Sequence, residues 1–247
     1  MFSPRQQIKL IIVGDSLTGK TTIINNYYLS KFINNSNIEL YSKIININNI
    51  DIYCNAWDIK GDYSYNNITN SYLKEPNAFI ILFDITNLCT FTNISNWLER
   101  IYKYNKIINN YNYYPILLLG NKCDLELKRK ISYNEAQKFA LKNKLLYLEV
   151  STYNNDKIIT SINTYIYNVY DFIYNDNKIL NKKDFIHNFK LDDSQNIVSN
   201  NNNNIKLSKS IEDMNNLNEK YINNNKCPPD CDYCISKRNN KNSCSLL

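Results

Sequence analysis

The stretch Ile8-Lys9-Leu10-Ile11-Ile12-Val13-Gly14-Asp15-Ser16-Leu17-Thr18-Gly19-Lys20-Thr21-Thr22 decides how this chain is read. Residues 8–13 form a short apolar run, suited to a strand buried on both faces. Residues 14–21 match G-x-x-x-x-G-K-[ST], and the apolar pattern after them predicts a helix over 19–31. A strand, a tight Gly-bounded loop and a helix N-terminus form the setting in which this motif has chemical meaning. Backbone N–H groups of such a loop converge on phosphate oxygens, and the helix N-terminus adds favourable charge. Lys20 is placed to bridge β- and γ-phosphates, and the Thr21 hydroxyl is a hard oxygen ligand for Mg²⁺. The loop alone does not choose between ATP and GTP.

Working outward, apolar strands alternate with helical patterns. Residues 38–57 carry two β-rich runs around Asn48-Asn49, a dipeptide that tolerates positive φ in a tight hairpin. Strands are expected at 78–84, 116–119 and 145–150, and helical spacing at 91–110 and 156–174. A further helix over 132–144 opens with Ser132 and Glu135 placed as a capping box. Such alternation argues for a mostly parallel sheet with helices on both faces. Beyond about residue 175 apolar residues thin out and Asn runs appear, so the expected division is a domain over 1–177 and a largely disordered tail over 178–247.

Composition narrows the function class. The 247 residues are 43% hydrophobic and 21% charged, enough to bury a core, and the net charge of +6 is too mild for a dedicated nucleic-acid binder. No apolar run approaches the ~18 residues of a membrane helix. The N-terminal stretch is also too short and weakly apolar to read as a signal peptide, which implies a cytoplasmic start. The abundance of Asn, Ile, Lys and Tyr follows AT-rich codons, so the run of Asn at 200–204 is weak evidence of function.

After the strand at 116–119 comes Asn121-Lys122-Cys123-Asp124. An Asp carboxylate can accept from both the ring N–H and the exocyclic amine of guanine, whereas adenine would leave it unpaired. Together, the loop at 14–21, Trp57-Asp58-x-x-Gly61, Gly120-Asn121-Lys122-Cys123-Asp124-Leu125 and Glu149-Val150-Ser151-Thr152 resemble the Ras superfamily of small GTPases. Thr90-Phe91-x-Asn93-x-x-x-Trp97-Leu98 and Glu135-Ala136-x-x-Phe139-Ala140 point to its Rab branch. The resemblance covers roughly residues 7–175 and implies an α/β G domain with a mostly parallel six-stranded sheet. It implies binding of GTP or GDP with Mg²⁺, and hydrolysis of GTP to GDP by a switch in vesicle trafficking. It assigns Gly14, Asp15, Ser16, Leu17, Thr18, Gly19, Lys20, Thr21 and Thr22 to the phosphates and Phe32 to stacking on guanine. Asn121 and Lys122 would brace the base loop, Asp124 would read guanine, and Ser151 with the backbone N–H of Thr152 would complete the pocket. Thr21 and Asp58 would hold Mg²⁺, and Lys20 and Gly61 would act on the γ-phosphate.

Four departures bear on activity. Where the family carries a Gln that orients water, this chain has Asp62, and a carboxylate beside a triphosphate is unfavourable and lacks the amide donor. Intrinsic hydrolysis is therefore expected to be slow. Lys60 either reaches the γ-phosphate or points to solvent. The stretch 31–41 is short, and Ser36 is the hydroxyl candidate for the Mg²⁺-sensing position. Leu17 stands where the family tends to carry a small residue. These departures leave open an alternative, a non-hydrolysing GTP-binding scaffold that recruits partners to a membrane.

The chain ends Cys244-Ser245-Leu246-Leu247, a C-a-a-X pattern whose Leu favours geranylgeranylation of Cys244. One lipid chain anchors only marginally, so a second signal is expected from Lys237, Arg238 and Lys241 or from acylation of a nearby Cys. Cys227, Cys231 and Cys234 have three readings: a zinc site lacking a fourth ligand, acylation, or no special role. The resemblance implies a monomer, peripheral on the cytosolic face of endomembranes. Its implied partners are effectors, an exchange factor, a GTPase-activating protein, a prenylation escort and a GDP-state chaperone, with no nucleic acid among them.

Overall fold

A computed structural model describes residues 6–28, 30–34, 38–59, 73, 76–105 and 114–175 of the chain. The first apolar run forms β1 (Gln7–Gly14), at the centre of a seven-stranded sheet. Around it lie β2 (Ser30–Asn34), β3 (Ile38–Ile47), β4 (Ile50–Ile59), β5 (Ala78–Asp84), β6 (Ile116–Asn121) and β7 (Leu146–Glu149), in the order β2-β3-β4-β1-β5-β6-β7. β1 pairs in parallel with both β4 and β5, and β5-β6 and β6-β7 are also parallel. β3 runs antiparallel to β4 through the hairpin expected at Asn48-Asn49, where both residues take positive φ, 52° and 64°.

The six expected strands are present, and β2 adds a short seventh at the edge. It pairs antiparallel with β3, Ser30 opposite Ser42 and Lys31 opposite Tyr41, with a register shift between Lys31 and Ile33. That pairing also shortens the first helix. The apolar pattern predicts helix through residue 31, but α1 spans Lys20–Tyr27 and Tyr28 is already extended at φ −102°, ψ 126°. Lys31 cannot belong to both a helix and the ladder with β3. The 91–110 pattern likewise resolves into α2 (Leu88–Thr92) and α3 (Ile94–Asn105), separated at Asn93. α4 (Tyr133–Asn143) starts as expected, with the Ser132 hydroxyl accepting from Glu135 N at 3.2 Å. α5 (Asn155–Tyr170) is capped by Asn154, whose side chain accepts from Lys157 N.

Helices on both faces of a parallel sheet give two cores. Ile8, Leu10 and Ile12 of β1 pack with Ile23, Ile24 and Tyr27 of α1 and with Ile158, Ile162, Ile166 and Val169 of α5. Ile11 and Val13 face the other way, toward Phe91, Trp97, Leu98 and Ile101 of α2 and α3 and Ala136 and Ala140 of α4. A fully buried side chain of this size contributes about 1.5–3 kcal/mol. The buried Tyr165 hydroxyl of α5 fastens two strands from one face, donating to the carbonyls of Phe79 at 2.8 Å and Pro115 at 3.0 Å. Cys54 of β4 is also buried, 3.1 Å from the Tyr28 hydroxyl, and burial pushes its thiol up to about 12.

The chain leaves β1 toward β4 on one side and returns to β5 on the other. Ligand crevices of open α/β sheets form at this kind of switch point, outside the carboxyl ends of the strands. Gly14, Asp58, Asp84, Asn121 and Glu149 all lie at or beside carboxyl ends of the parallel strands.

Candidate nucleotide-binding site

Gly14 closes β1 at φ 143°, and a Cβ there would collide with the Leu82 carbonyl. Gly19, at φ 93°, precedes α1, and a Cβ there would collide with the Asn121 side-chain amide. Both positions therefore need glycine for conformation and for space. Between them Asp15 is the hub. Its carbonyl accepts from Thr18 Oγ1 at 2.9 Å and from Lys20 Nζ at 2.7 Å. Its carboxylate accepts from Asn93 Nδ2 and from Trp97 Nε1, the latter at 2.8 Å. The loop is thus held from within and from the start of α3. Thr18 and Lys20 are buried, whereas Ser16, Leu17, Thr21 and Thr22 are exposed. Burial lowers the Lys20 pKa, and the carboxylates of Asp58 and Asp15 pull it back up.

The C-terminal end of β4 brings in Asp58, only 2% exposed, and Thr21 Oγ1 donates to its Oδ2 at 2.7 Å. A hydroxyl and a buried carboxylate held together form the hard-oxygen pair that a Mg²⁺ ion takes alongside substrate phosphates. Among the described residues no group of three or more His, Cys, Asp or Glu could hold a metal.

On the base side, Asn121 ends β6 fully buried. Its Nδ2 donates to the Thr18 carbonyl at 2.9 Å, and its Oδ1 is buried with no hydrogen-bond partner. Lys122 takes positive φ, 69°, and pairs its ammonium with Asp84 at 2.6 Å. Asp124 is exposed and one of its oxygens accepts from Ser151 Oγ, which also accepts from Tyr153 N at 3.2 Å. The Thr152 carbonyl accepts from Asn26 Nδ2 of α1 at 3.1 Å, tying the base loop back to the helix that follows the phosphate loop.

Of the residues singled out in the sequence, Gly14 to Thr22, Asp58, Asn121, Lys122, Asp124, Ser151 and Thr152 come together along this one edge. Ser36, Lys60, Gly61, Asp62 and Cys244 lie outside the described residues, as do Cys227, Cys231 and Cys234, and Phe32 is described only as backbone in β2. Sequence reasoning missed Asp84, which holds Lys122 and accepts from Thr86 N and Oγ1 at 2.8 and 2.7 Å. An acidic residue ending an apolar strand was the available signal. It also missed that Asn93 and Trp97 reach the phosphate loop, and that Arg129 pairs with Glu149.

A model of the Ras family matches residues 9–171. The chain belongs to the Ras family. This small GTPase is 31% identical over 170 residues to the Ras-related protein Rab-11B of Dictyostelium discoideum, spanning 67% of this chain and 73% of the relative. It is 31% identical over 161 residues to Ras-related protein Rab-13 of Rattus norvegicus, 62% of this chain and 77% of that one. Against Ras-related protein RABA5c of Arabidopsis thaliana the identity is 26% over 169 residues, 67% and 77% of the two chains. It is a Rab-like small GTPase, a guanine-nucleotide switch of vesicle trafficking that hydrolyses GTP to GDP.

Proposed function

We propose that one guanine nucleotide spans the edge from Gly14 to Ser151, with Mg²⁺ at Thr21 and Asp58. The observation that carries this reading is the hydrogen bond from Asn121 Nδ2 to the Thr18 carbonyl. It joins the phosphate loop to the base loop, so a single ligand can touch both. Asp124 reads guanine through its ring N–H and exocyclic amine, Ser151 and Thr152 close the pocket, and Phe32 supplies a stacking ring. Lys20, whose ammonium donates to the Asp15 carbonyl, is the loop's cation for the phosphates on this reading. Bound Mg²⁺ supplies neutralising charge on the phosphate oxygens.

In hydrolysis a water attacks the γ-phosphorus in line, the bond to the β-phosphate oxygen breaks, and GDP and phosphate leave. Lys20 stabilises the charge that builds on the leaving oxygens, and the Gly61 N–H contributes on the γ side. Asp62 cannot donate an amide hydrogen to position the water, so the intrinsic step is slow and a GTPase-activating protein supplies the missing group. Ser36 senses the γ-phosphate, and effectors read the ordered segment. An exchange factor, a prenylation escort and a GDP-state chaperone complete the cycle. A prenyl group on Cys244 holds the monomer on the cytosolic face of endomembranes.

Single-turnover hydrolysis tests this reading. Wild type is expected to bind GTP and GDP in preference to ATP and to cleave GTP slowly, with cleavage lost in Lys20→Ala. Asp62→Gln is expected to speed cleavage by at least about tenfold, roughly 1.4 kcal/mol of barrier. No preference for guanine over adenine nucleotides would sink the site assignment, and an unchanged rate in Asp62→Gln would sink the account of slow hydrolysis.

A further inference from the structure

Arg129 follows the short 3₁₀ turn Glu126–Lys128, which itself follows Asp124. Its Nη1 and Nη2 donate to Glu149 Oε1 and Oε2 at 2.9 and 2.8 Å. Nη1 also donates to the Ile131 carbonyl at 3.0 Å, and Nε to both oxygens of Glu126 at 2.9 Å. The inner pair is sequestered, with 15% of the Arg129 side chain and 10% of that of Glu149 exposed, whereas Glu126 is 66% exposed. Glu149 is also held by the Tyr147 hydroxyl, 2.5 Å from Oε1. It ends β7 two residues before Ser151, and Ser151 donates to Asp124. The contacts therefore close a ring: Asp124, the turn, Arg129, Glu149, Ser151 and back to Asp124.

We infer that Arg129 is a positioning residue for base selection. Its clamp on Glu149 fixes Ser151, which fixes the carboxylate plane of Asp124. The inference rests on the reading of Asp124 as the group that recognises guanine. A forked guanidinium fits the task, because it grips both Glu149 oxygens in one plane while a third arm holds the turn; a Lys ammonium keeps the charge and loses the fork.

The discriminating probe is the inosine nucleotide, which keeps the ring N–H of guanine and lacks its exocyclic amine. Dissociation constants of GDP and IDP are measured on the full chain for wild type, Arg129→Lys and Arg129→Ala, with thermal midpoints alongside. Wild type is expected to prefer GDP. Arg129→Lys is expected to shrink that preference by about fivefold, chiefly by weakening GDP, as coupled residues sharing one charged network do. Arg129→Ala shrinks it further. A lowered midpoint with an unchanged GDP to IDP ratio in Arg129→Lys would reduce the clamp to a structural tie and overturn the inference. A wild type that does not prefer GDP would overturn the Asp124 reading beneath it, and the inference with it.

Discussion

Leu17 sits in the left-handed region at φ 63°, 90% exposed, in the middle of the phosphate loop. Its side chain gains nothing from burial there, while an L-residue in that region costs about 1–2 kcal/mol. The position is held because Thr18, Lys20 and the Asn93–Trp97 pair all fasten Asp15. The loop thus carries strain that its neighbours enforce. Leu17→Gly is expected to raise the unfolding free energy by about 0.5–1 kcal/mol, the relieved strain less the entropy of glycine. Leu17→Ala keeps the Cβ and should leave it nearly unchanged. Urea unfolding of the three proteins decides the point, and equal stability of the Gly and Ala variants would show that the loop is unstrained.

At the scale of elements, strands and helices act through side chains that cross between them. The Tyr165 hydroxyl of α5 serves carbonyls of the β5 and β6 region from a site 0% exposed. Tyr165→Phe keeps the ring and leaves Phe79 O short of a buried donor, at a cost of about 1–2 kcal/mol. Because Tyr165 is remote from the nucleotide edge, GDP affinity should stay at the wild-type value while the thermal midpoint falls; a loss of affinity would mean that α5 and the site are coupled. Elements of this kind divide into what the sequence shows and what it hides. The apolar runs of β1, β5 and β6 and the stripe of α5 are local patterns, and the phosphate loop is a local motif in the right setting. β2 has no such pattern, because Ser30–Asn34 becomes a strand only when β3 offers an edge. The break at Asn93 is likewise set by distance, its amide being drawn to Asp15 across 78 positions of sequence. Arg129 looks like an ordinary surface charge until the fold pairs it with Glu149, and the acid that ends β5, Asp84, shows its partner Lys122 only in the fold.

Across the whole molecule, the site is assembled from the carboxyl ends of β1, β4, β5, β6 and β7 together with α1, so both cores border it. A ligand that touches the phosphate loop, Asp58 and Asp124 at once binds only the folded chain. Its binding therefore adds to folding stability by mass action, about 4 kcal/mol at a thousand times its dissociation constant. The increment separates by chemistry. On the proposed reading, Lys20, Thr18 and the loop amides would recognise phosphate alone, Thr21 and Asp58 would supply the part that needs Mg²⁺, and Asp124 with Ser151 would supply the part that needs guanine. GDP with Mg²⁺ is expected to raise the thermal midpoint strongly, chelation to remove a portion of the gain, and ATP with Mg²⁺ to give little of it. Asp58→Ala should make the GDP gain insensitive to chelation, and Asp124→Asn should bring the GDP gain down toward that of ATP. Thermal scans across this grid locate the error if there is one. A GDP gain in Asp58→Ala that still responds to chelator moves Mg²⁺ away from Thr21 and Asp58, and an Asp124→Asn protein that keeps its GDP gain places base recognition elsewhere along the edge.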